Sequence, residues 1–137
     1  MLVDAGPAAG HAPADSTRYY IGRTQGLSPG STTPNSFETV VPEEGVIRSV
    51  RLDLLMVAGT TPSTNVSTCA LFVNALPAAT VSNLLTMSSV LNTAYNDNMA
   101  VPVKFGDRVE LQIQTPTWST NPTVVFYRGT IIVEAGF

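Results

Sequence analysis

The sequence predicts an all-β fold: an antiparallel two-sheet jelly-roll sandwich of about eight strands with an extended N-terminal arm. The composition favours strands and tight turns, because valine and threonine are abundant and ten glycines and ten prolines interrupt the chain. Several segments alternate apolar and polar residues, whereas no segment has the apolar spacing of an ordinary amphipathic helix. Hydrophobic residues make up 44% of the 137, which is enough for one core without disulfides or a metal.

Residues 1–16 (MLVDAGPAAGHAPADS) are predicted to form the arm, and residues 17–137 the sandwich domain. The segment reaches an acid at Asp4 and has no basic residue before Arg18, so it does not resemble a secretory signal. Its small residues offer too little apolar area to offset the entropy of ordering it alone. We therefore expect the arm to lie on a neighbouring subunit or another protein; the alternative is that it folds back on its own domain.

Two short strands are expected after the arm. Residues 17–23 (TRYYIGR) form the first, and residues 35–41 (NSFETVV) form the second, after a loop that contains glycine and proline. The sequence PEEG at 42–45 is a good turn and ends the second strand.

The clearest strand covers residues 46–57 (VIRSVRLDLLMV), with Arg48 as its single irregularity. Alternation places one set of side chains on the core face. That set is Val46, Val50, Leu52, Leu54 and Met56. The opposite face is predicted to carry Ser49, Arg51 and Asp53.

The second half of the chain supplies the remaining strands. Residues 65–73 (NVSTCALFV) form one that ends at the Asn74-Ala75 turn, and a further short strand lies within 77–85. Two strands pair tightly around Phe105-Gly106, and a long strand closes the domain. Their ranges are 100–104, 107–114 and 123–134.

In the strand at 107–114, apolar and polar residues alternate cleanly. Val109, Leu111 and Ile113 are therefore expected to face the core. Glu110 and Gln112 are expected to face solvent or a subunit seam.

About eight strands without intervening helices indicate a two-sheet sandwich or a barrel. Their mixed loop lengths fit a jelly roll best. An immunoglobulin-like sandwich is the alternative, which the lack of a cysteine pair disfavours.

Charge and hydropathy exclude several classes of partner. The net charge is −3 and Lys104 is the single lysine, so we expect no nucleic acid as a partner. No apolar run approaches the roughly 20 residues of a membrane span, so we expect no membrane partner. One cysteine rules out an internal disulfide framework and a cysteine-rich zinc site.

The residues that usually carry catalysis are sparse. His11 is the only histidine and lies in the arm, so no Ser-His-Asp arrangement is expected. Cys69 lies in an apolar strand and is interpreted as a buried thiol, while Glu43 and Glu44 are interpreted as a solvated turn. Asp97 could join a calcium site, but the EF-hand spacing is absent. We therefore expect no enzyme, no cofactor and no metal.

Two loops carry the expected binding features. Residues 86–98 are long for a loop in a compact sandwich, and residues 115–122 are expected to expose Trp118 among neutral polar residues. The alternative is that Trp118 caps one end of the core. Since few charges guard the sheet edges, other subunits are expected to cover them. The residues predicted at a capsid or subunit interface are Leu2, Val3, Pro7, His11, Tyr95, Trp118 and Phe137.

Four motifs carry a resemblance to a known family. The first is an acidic turn that precedes a long strand (PEEGVIRSVRLDLLMV). It is followed by an ALFVNA strand end, a VPVKFGDRVELQIQ hairpin and a closing GTIIVE strand. Through them, residues 42–134 resemble small phage virion proteins with jelly-roll folds. The pattern Gly-Asp-Arg-Val-x-Leu at 106–111 also resembles the trimeric jelly rolls of the C1q and tumour-necrosis-factor type.

The resemblance implies a structural function. Phage domains of this kind serve as capsid decoration (cement) proteins or as fibre heads, and the arm, with no shaft repeat, favours decoration. The expected role is to bind the major capsid protein on the outer surface of the virion, as a homotrimer, and to stabilise the shell. The alternative is a receptor- or carbohydrate-binding head of a phage fibre that uses the loops at 86–98 and 115–122. An extracellular cytokine-like ligand is a minor alternative, opposed by the missing signal.

Overall fold

The computed structural model describes residues 2–12, 14–21, 39–58, 66–86, 91–119 and 124–135. Within these ranges the chain is all strand and turn, and no helix is long and apolar enough to span a membrane. The ten strands are β1 (Leu2–His11), β2 (Arg18–Ile21), β3 (Thr39–Val40), β4 (Gly45–Ala58), β5 (Val66–Val73), β6 (Leu76–Thr86), β7 (Leu91–Asn96), β8 (Val101–Val103), β9 (Arg108–Gln114) and β10 (Val124–Ala135).

The strands form two antiparallel sheets with the strand order of a jelly roll. The first sheet runs β1-β10-β4-β7, and β8 also pairs with β4; the second runs β2-β9-β5-β6, and β3 also pairs with β9. β7 and β8 follow one another along one edge of β4, as β2 and β3 do along β9. Ten strands thus occupy eight positions, four in each sheet, and the predicted fold class is confirmed.

The core lies between the two sheets, and alternation identified its centre correctly. Six side chains predicted to face inward are all completely buried: Val50, Leu52, Leu54, Val109, Leu111 and Ile113. Beside β4 in the first sheet, β10 contributes further buried residues at alternate positions: Val125, Tyr127, Ile131 and Val133. Burial raises the pKa of the Tyr127 phenol well above its usual range.

A β-bulge at Arg48 corrects one part of the predicted core. Ile47 pairs with Val133 of β10 and Ser49 pairs with Ile132, so Arg48 is an extra residue between two paired positions. The extra residue shifts the alternation by one, which turns Ile47 into the core and leaves Val46 half-buried. The prediction that Val46 faces the core was therefore wrong, and the side chain of Met56 lies outside the described residues.

The N-terminal segment lies on its own domain. β1 pairs antiparallel with β10, from Leu2 opposite Ile132 to His11 opposite Val125. The alternative of folding back therefore holds, in place of an arm that leaves the domain. The physical reason is that the outer edge of β10 carries backbone groups that need hydrogen-bond partners, which β1 supplies. Contact of this segment with another chain stays a prediction.

A set of hydrogen bonds fixes the connection from β1 to β2 against the segment after β9. The Thr17 and Thr115 backbones are joined by a bond of 2.9 Å from the Thr115 amide to the Thr17 carbonyl, and the Ser16 amide donates to the Pro116 carbonyl at 2.9 Å. The Thr115 hydroxyl donates to the Ala14 carbonyl at 2.7 Å. These bonds therefore extend the pairing of β2 with β9 beyond the strand ends, at one end of the sandwich.

Trp118 belongs to the same end and is buried. Its side chain is only 5% exposed, its indole Nε1 donates to the Ala14 carbonyl at 3.3 Å, and its backbone amide donates to Asp15 Oδ1 at 3.0 Å. The prediction that the loop exposes Trp118 was therefore wrong. The indole instead caps the core, because covering its large apolar surface is more favourable than leaving it in water.

The middle of the outer face of the second sheet is covered, which corrects the prediction for Glu110, whereas Val40 at its edge is exposed. Glu110 is completely buried and Gln112 is half-buried, and the Gln112 side chain donates to the Tyr20 hydroxyl at 2.8 Å. Tyr20 and Phe72 on the same face are buried and meet edge to face, with ring centroids 5.5 Å apart.

Candidate functional site

The outer face of the first sheet is the candidate functional site, because it presents large apolar side chains to solvent. These are Tyr95 (63% exposed), Ile132 (42%), Phe126 (41%) and Leu55 (38%). They come from the three neighbouring strands β7, β4 and β10. We call this surface the first-sheet face.

Strand pairing brings residues of distant sequence together on this face. Arg51 of β4 lies between Tyr95 of β7 and Thr130 of β10. Since directly opposed residues of antiparallel strands have neighbouring side chains, these three form one row across the sheet. Asp53 lies in the next row, beside Thr93 of β7.

A cleft of about 390 Å³ opens over the first of these rows. Its lining is Ser49, Arg51, Tyr95, Asp97, Thr130 and Ile132. The lining combines one phenol ring, one aliphatic side chain, two hydroxyls, one cation and one carboxylate. We call it the Tyr95 cleft.

Arg51 is bonded to the Asp53 carboxylate, and a second hydrogen bond fixes that carboxylate. The Arg51 Nε donates to Asp53 Oδ1 at 3.0 Å, and the Thr93 hydroxyl donates to the same oxygen at 2.7 Å. The guanidinium therefore has a defined position at the side of the cleft.

Asn96 fixes the chain on either side of Asp97. Its side-chain amide donates to the Thr80 carbonyl at 3.1 Å, and its Oδ1 accepts the amide of Asn98 at 2.9 Å. The second bond closes a turn around Asp97, of the kind that asparagine side chains commonly form. The carboxylate of Asp97 is thereby carried on a defined turn next to Tyr95.

A second cleft, of about 420 Å³, lies near the turn before β4 and the end of β10. Arg48 and Glu134 in its lining form an ion pair of 2.7 Å. Asp107 accepts a hydrogen bond from the backbone amide of Lys104 and one from the Asn74 side chain, which lower the pKa of its carboxyl. Since no aromatic ring lines this cleft, it is the weaker candidate for a ligand.

Nucleophilic or metal chemistry finds little support in the described part of the chain. No group of three or more His, Cys, Asp or Glu side chains there could hold a metal ion. The Cys69 thiol is buried in the core, and desolvation raises its pKa to about 12. Such a thiol is not a reactive nucleophile at neutral pH.

Comparison with known proteins finds no matching family model and no matching curated protein. Among solved structures, a family 35 carbohydrate-binding module from Clostridium thermocellum matches with a TM-score of 0.41 and 10% identity, over 93% of this chain and 95% of that chain. The Arthrobacter globiformis T6 isomalto-dextranase in complex with panose matches with a TM-score of 0.39 and 14% identity, over 96% of this chain and 23% of that one. Likenesses this weak do not indicate what the chain binds.

The structure places the residues predicted at an interface in different parts of the molecule. Tyr95 is exposed and lines the cleft, whereas Trp118 is buried at one end of the core. Phe137 lies outside the described residues. The remaining four belong to β1, where only the backbone is described: Leu2, Val3, Pro7 and His11.

The neighbours of Tyr95 in the cleft were not among the residues predicted at an interface. Alternation had already placed Arg51 and Asp53 on the face away from the core, and that signal was correct. The part that was missing was β7: residues 86–98 were predicted as a loop, and that prediction was wrong because they contain the strand β7. Without it, nothing in the sequence brings Tyr95 next to Arg51.

Proposed function

We propose that this chain is a non-catalytic carbohydrate-binding domain and that a glycan binds in the Tyr95 cleft. The observation that supports this most directly is the exposed phenol ring of Tyr95, beside Arg51, Thr130 and Asp97. One face of a pyranose ring is a flat patch of C–H groups that can pack on a phenol ring. Its hydroxyls can then bond to polar side chains at the edge of the cleft.

The experiment is binding of immobilised oligosaccharides, with a variant that removes the ring. We expect the wild-type chain to bind at least one neutral oligosaccharide, and Tyr95→Ala to weaken that binding at least tenfold, which corresponds to about 1.4 kcal/mol. Phe105→Ala is the matched control, because Phe105 is also an exposed aromatic residue but does not line the cleft. No binding to any sugar, or equal loss in both variants, would contradict the proposal.

A second candidate is the capsid decoration function, which a different feature of the same face supports. Leu55 and Phe126 are paired across β4 and β10, and both are exposed. Adjacent apolar side chains at the surface are typical of protein interfaces. The partner would be the major capsid protein of a phage head, or further copies of this chain in a homotrimer. A protein that binds only the assembled shell stabilises the shell against dissociation.

The double variant Leu55→Ser/Phe126→Ser tests this second function. Under it, shells that lack the protein should bind the wild-type chain and gain heat resistance, and the double variant should do neither. Light scattering should give the mass of a trimer for the wild type and of a monomer for the variant, whereas a wild-type monomer at micromolar concentration would contradict the homotrimer. Deletion of residues 1–16 is a poor test, because it would also remove β1 from the first sheet.

A further inference from the structure

Arg51 is held by Asp53, and Asp53 is held by Thr93. The Arg51 Nε donates a hydrogen bond to Asp53 Oδ1 at 3.0 Å, and the Thr93 hydroxyl donates to the same oxygen at 2.7 Å. Arg51 lines the cleft, whereas neither Asp53 nor Thr93 does. An effect of the uncharged Thr93 on a ligand in the cleft would therefore act through Asp53 and the position of the guanidinium.

Stability does not explain this arrangement well. In the Arg51–Asp53 pair the Arg51 side chain is largely exposed and that of Asp53 is partly exposed, and ion pairs at the surface contribute little to folding. A free arginine side chain, however, loses considerable rotamer entropy when a ligand fixes it. Because Asp53 and Thr93 fix Arg51 before binding, the ligand does not have to supply that ordering.

The geometry also determines which donors Arg51 can offer. With Nε engaged by Asp53, the guanidinium presents its two terminal amino groups, which lie in one plane and point in a fixed fork. Two adjacent hydroxyl oxygens on a sugar ring match such a pair of donors. The carboxylate of Asp97, in the same cleft, can accept the hydroxyl hydrogens.

Charge argues against an acidic ligand. The cleft lining holds one cation, Arg51, which is already paired with Asp53, and one carboxylate, Asp97. Arg128 lies opposite Asp53, outside the lining, so the acidic group that a ligand in the cleft would meet is Asp97. A sugar carboxylate would compete with Asp53 for the guanidinium and would be repelled by Asp97. A neutral sugar meets no such repulsion.

We infer that the Tyr95 cleft binds neutral glycans through two adjacent hydroxyls on Arg51, and that Asp53 and Thr93 are positioning residues for that guanidinium. The inference rests on the proposed function and gives it a ligand class. Asp97 disfavours acidic sugars in this scheme.

Calorimetry with two matched sets of oligosaccharides tests the ligand class. The probes are neutral gluco-, manno- and galacto-oligosaccharides and the corresponding uronate-containing chains. We expect the neutral member of a pair to bind roughly three- to tenfold more tightly at low salt, with the difference shrinking at high salt as the repulsion is screened. If the uronate chains bind more tightly while Tyr95→Ala still abolishes binding, the inference fails and the proposed function stands. If no oligosaccharide binds, both fail.

A double-mutant cycle tests the positioning role. Thr93→Ala should weaken neutral-glycan binding roughly threefold in the wild type, Thr93→Ser should restore it, and Thr93→Ala should have no effect once Arg51 is alanine. A merely structural role for Thr93 would give the same loss in both backgrounds and would shift the melting temperature. Equal loss in the two backgrounds, or no loss in either, would overturn the role of Thr93.

Discussion

The outer faces of the two sheets have similar alternating sequences but different surroundings. On the first sheet, Tyr95 and Phe126 are exposed beside charged residues. On the second sheet, the corresponding aromatic residues Tyr20 and Phe72 are buried and contact one another. Glu110, the carboxylate of that face, is completely buried as well.

This difference separates two properties of an outward-facing side chain, its direction and its exposure to water. Alternation determines which side chains point away from the core, since successive residues of a strand face opposite sides of the sheet. It does not determine whether the outer face meets water or other parts of the protein. An exposed face is free to bind a ligand, and a covered one contributes to stability.

The largest contrast between the faces is expected for two phenylalanines. Phe72→Ala should reduce the free energy of unfolding by about 3–5 kcal/mol, because the ring is buried and packs on Tyr20. Phe126→Ala should reduce it by about 1 kcal/mol, because much of that ring is already in water. Urea unfolding monitored by fluorescence measures both, and similar losses would show that the two faces are covered to the same degree.

A second contrast uses adjacent residues of β9. Leu111→Ala should cost about 2–5 kcal/mol, since Leu111 is completely buried between the sheets. Gln112→Ala should cost about 1 kcal/mol, for the loss of its hydrogen bond to the Tyr20 hydroxyl. Equal costs in urea unfolding would show that the strand register is not the one described.

The third contrast compares two carboxylates on the outer faces. Glu110 is completely buried and has an interaction partner, so Glu110→Ala should remove that interaction together with buried packing and cost about 1–3 kcal/mol. Asp53→Ala should cost about 1 kcal/mol or less, because Asp53 is partly exposed and solvent screens its pair with the largely exposed Arg51. The free energy of unfolding measured at low and high salt distinguishes the two variants. A larger loss for Asp53→Ala than for Glu110→Ala would show that the first-sheet face is the more buried one.

The fold was accessible from the sequence because most of its determinants are local. Most inward positions of β4 and β9 are predicted by alternation, and the turns at 42–45, 74–75 and 105–106 each contain proline, glycine or asparagine. The bulge at Arg48 was not accessible, because it depends on how β4 pairs with β10, more than 75 residues further along the chain. The pairing of β1 with β10 is also non-local, and no property of residues 1–16 alone indicates it.

The candidate site was less accessible than the fold for the same reason. Tyr95 was identified, but its neighbours Arg51 and Thr130 come from two other strands, and only the register aligns the three. Trp118 had the same appearance in the sequence, an aromatic residue in a polar neutral segment, yet it is buried. Sequence alone therefore did not distinguish an aromatic residue that caps the core from one that is exposed.

The smallest effect on stability is expected at Tyr95, and it separates a binding residue from a structural one. Tyr95→Ala should lower the free energy of unfolding by no more than about 1 kcal/mol, mostly because alanine has a lower strand propensity. Tyr95→Thr keeps a strand-favouring residue and should change it by less than about 0.5 kcal/mol. Both variants retain the backbone pairing of β7 with β4, so both should unfold almost as the wild type does. Both lose the phenol ring, so both should lose glycan binding. A loss of 2 kcal/mol or more in Tyr95→Thr would show that the ring supports the first sheet, and the exposed face would then lose its role as a free binding surface.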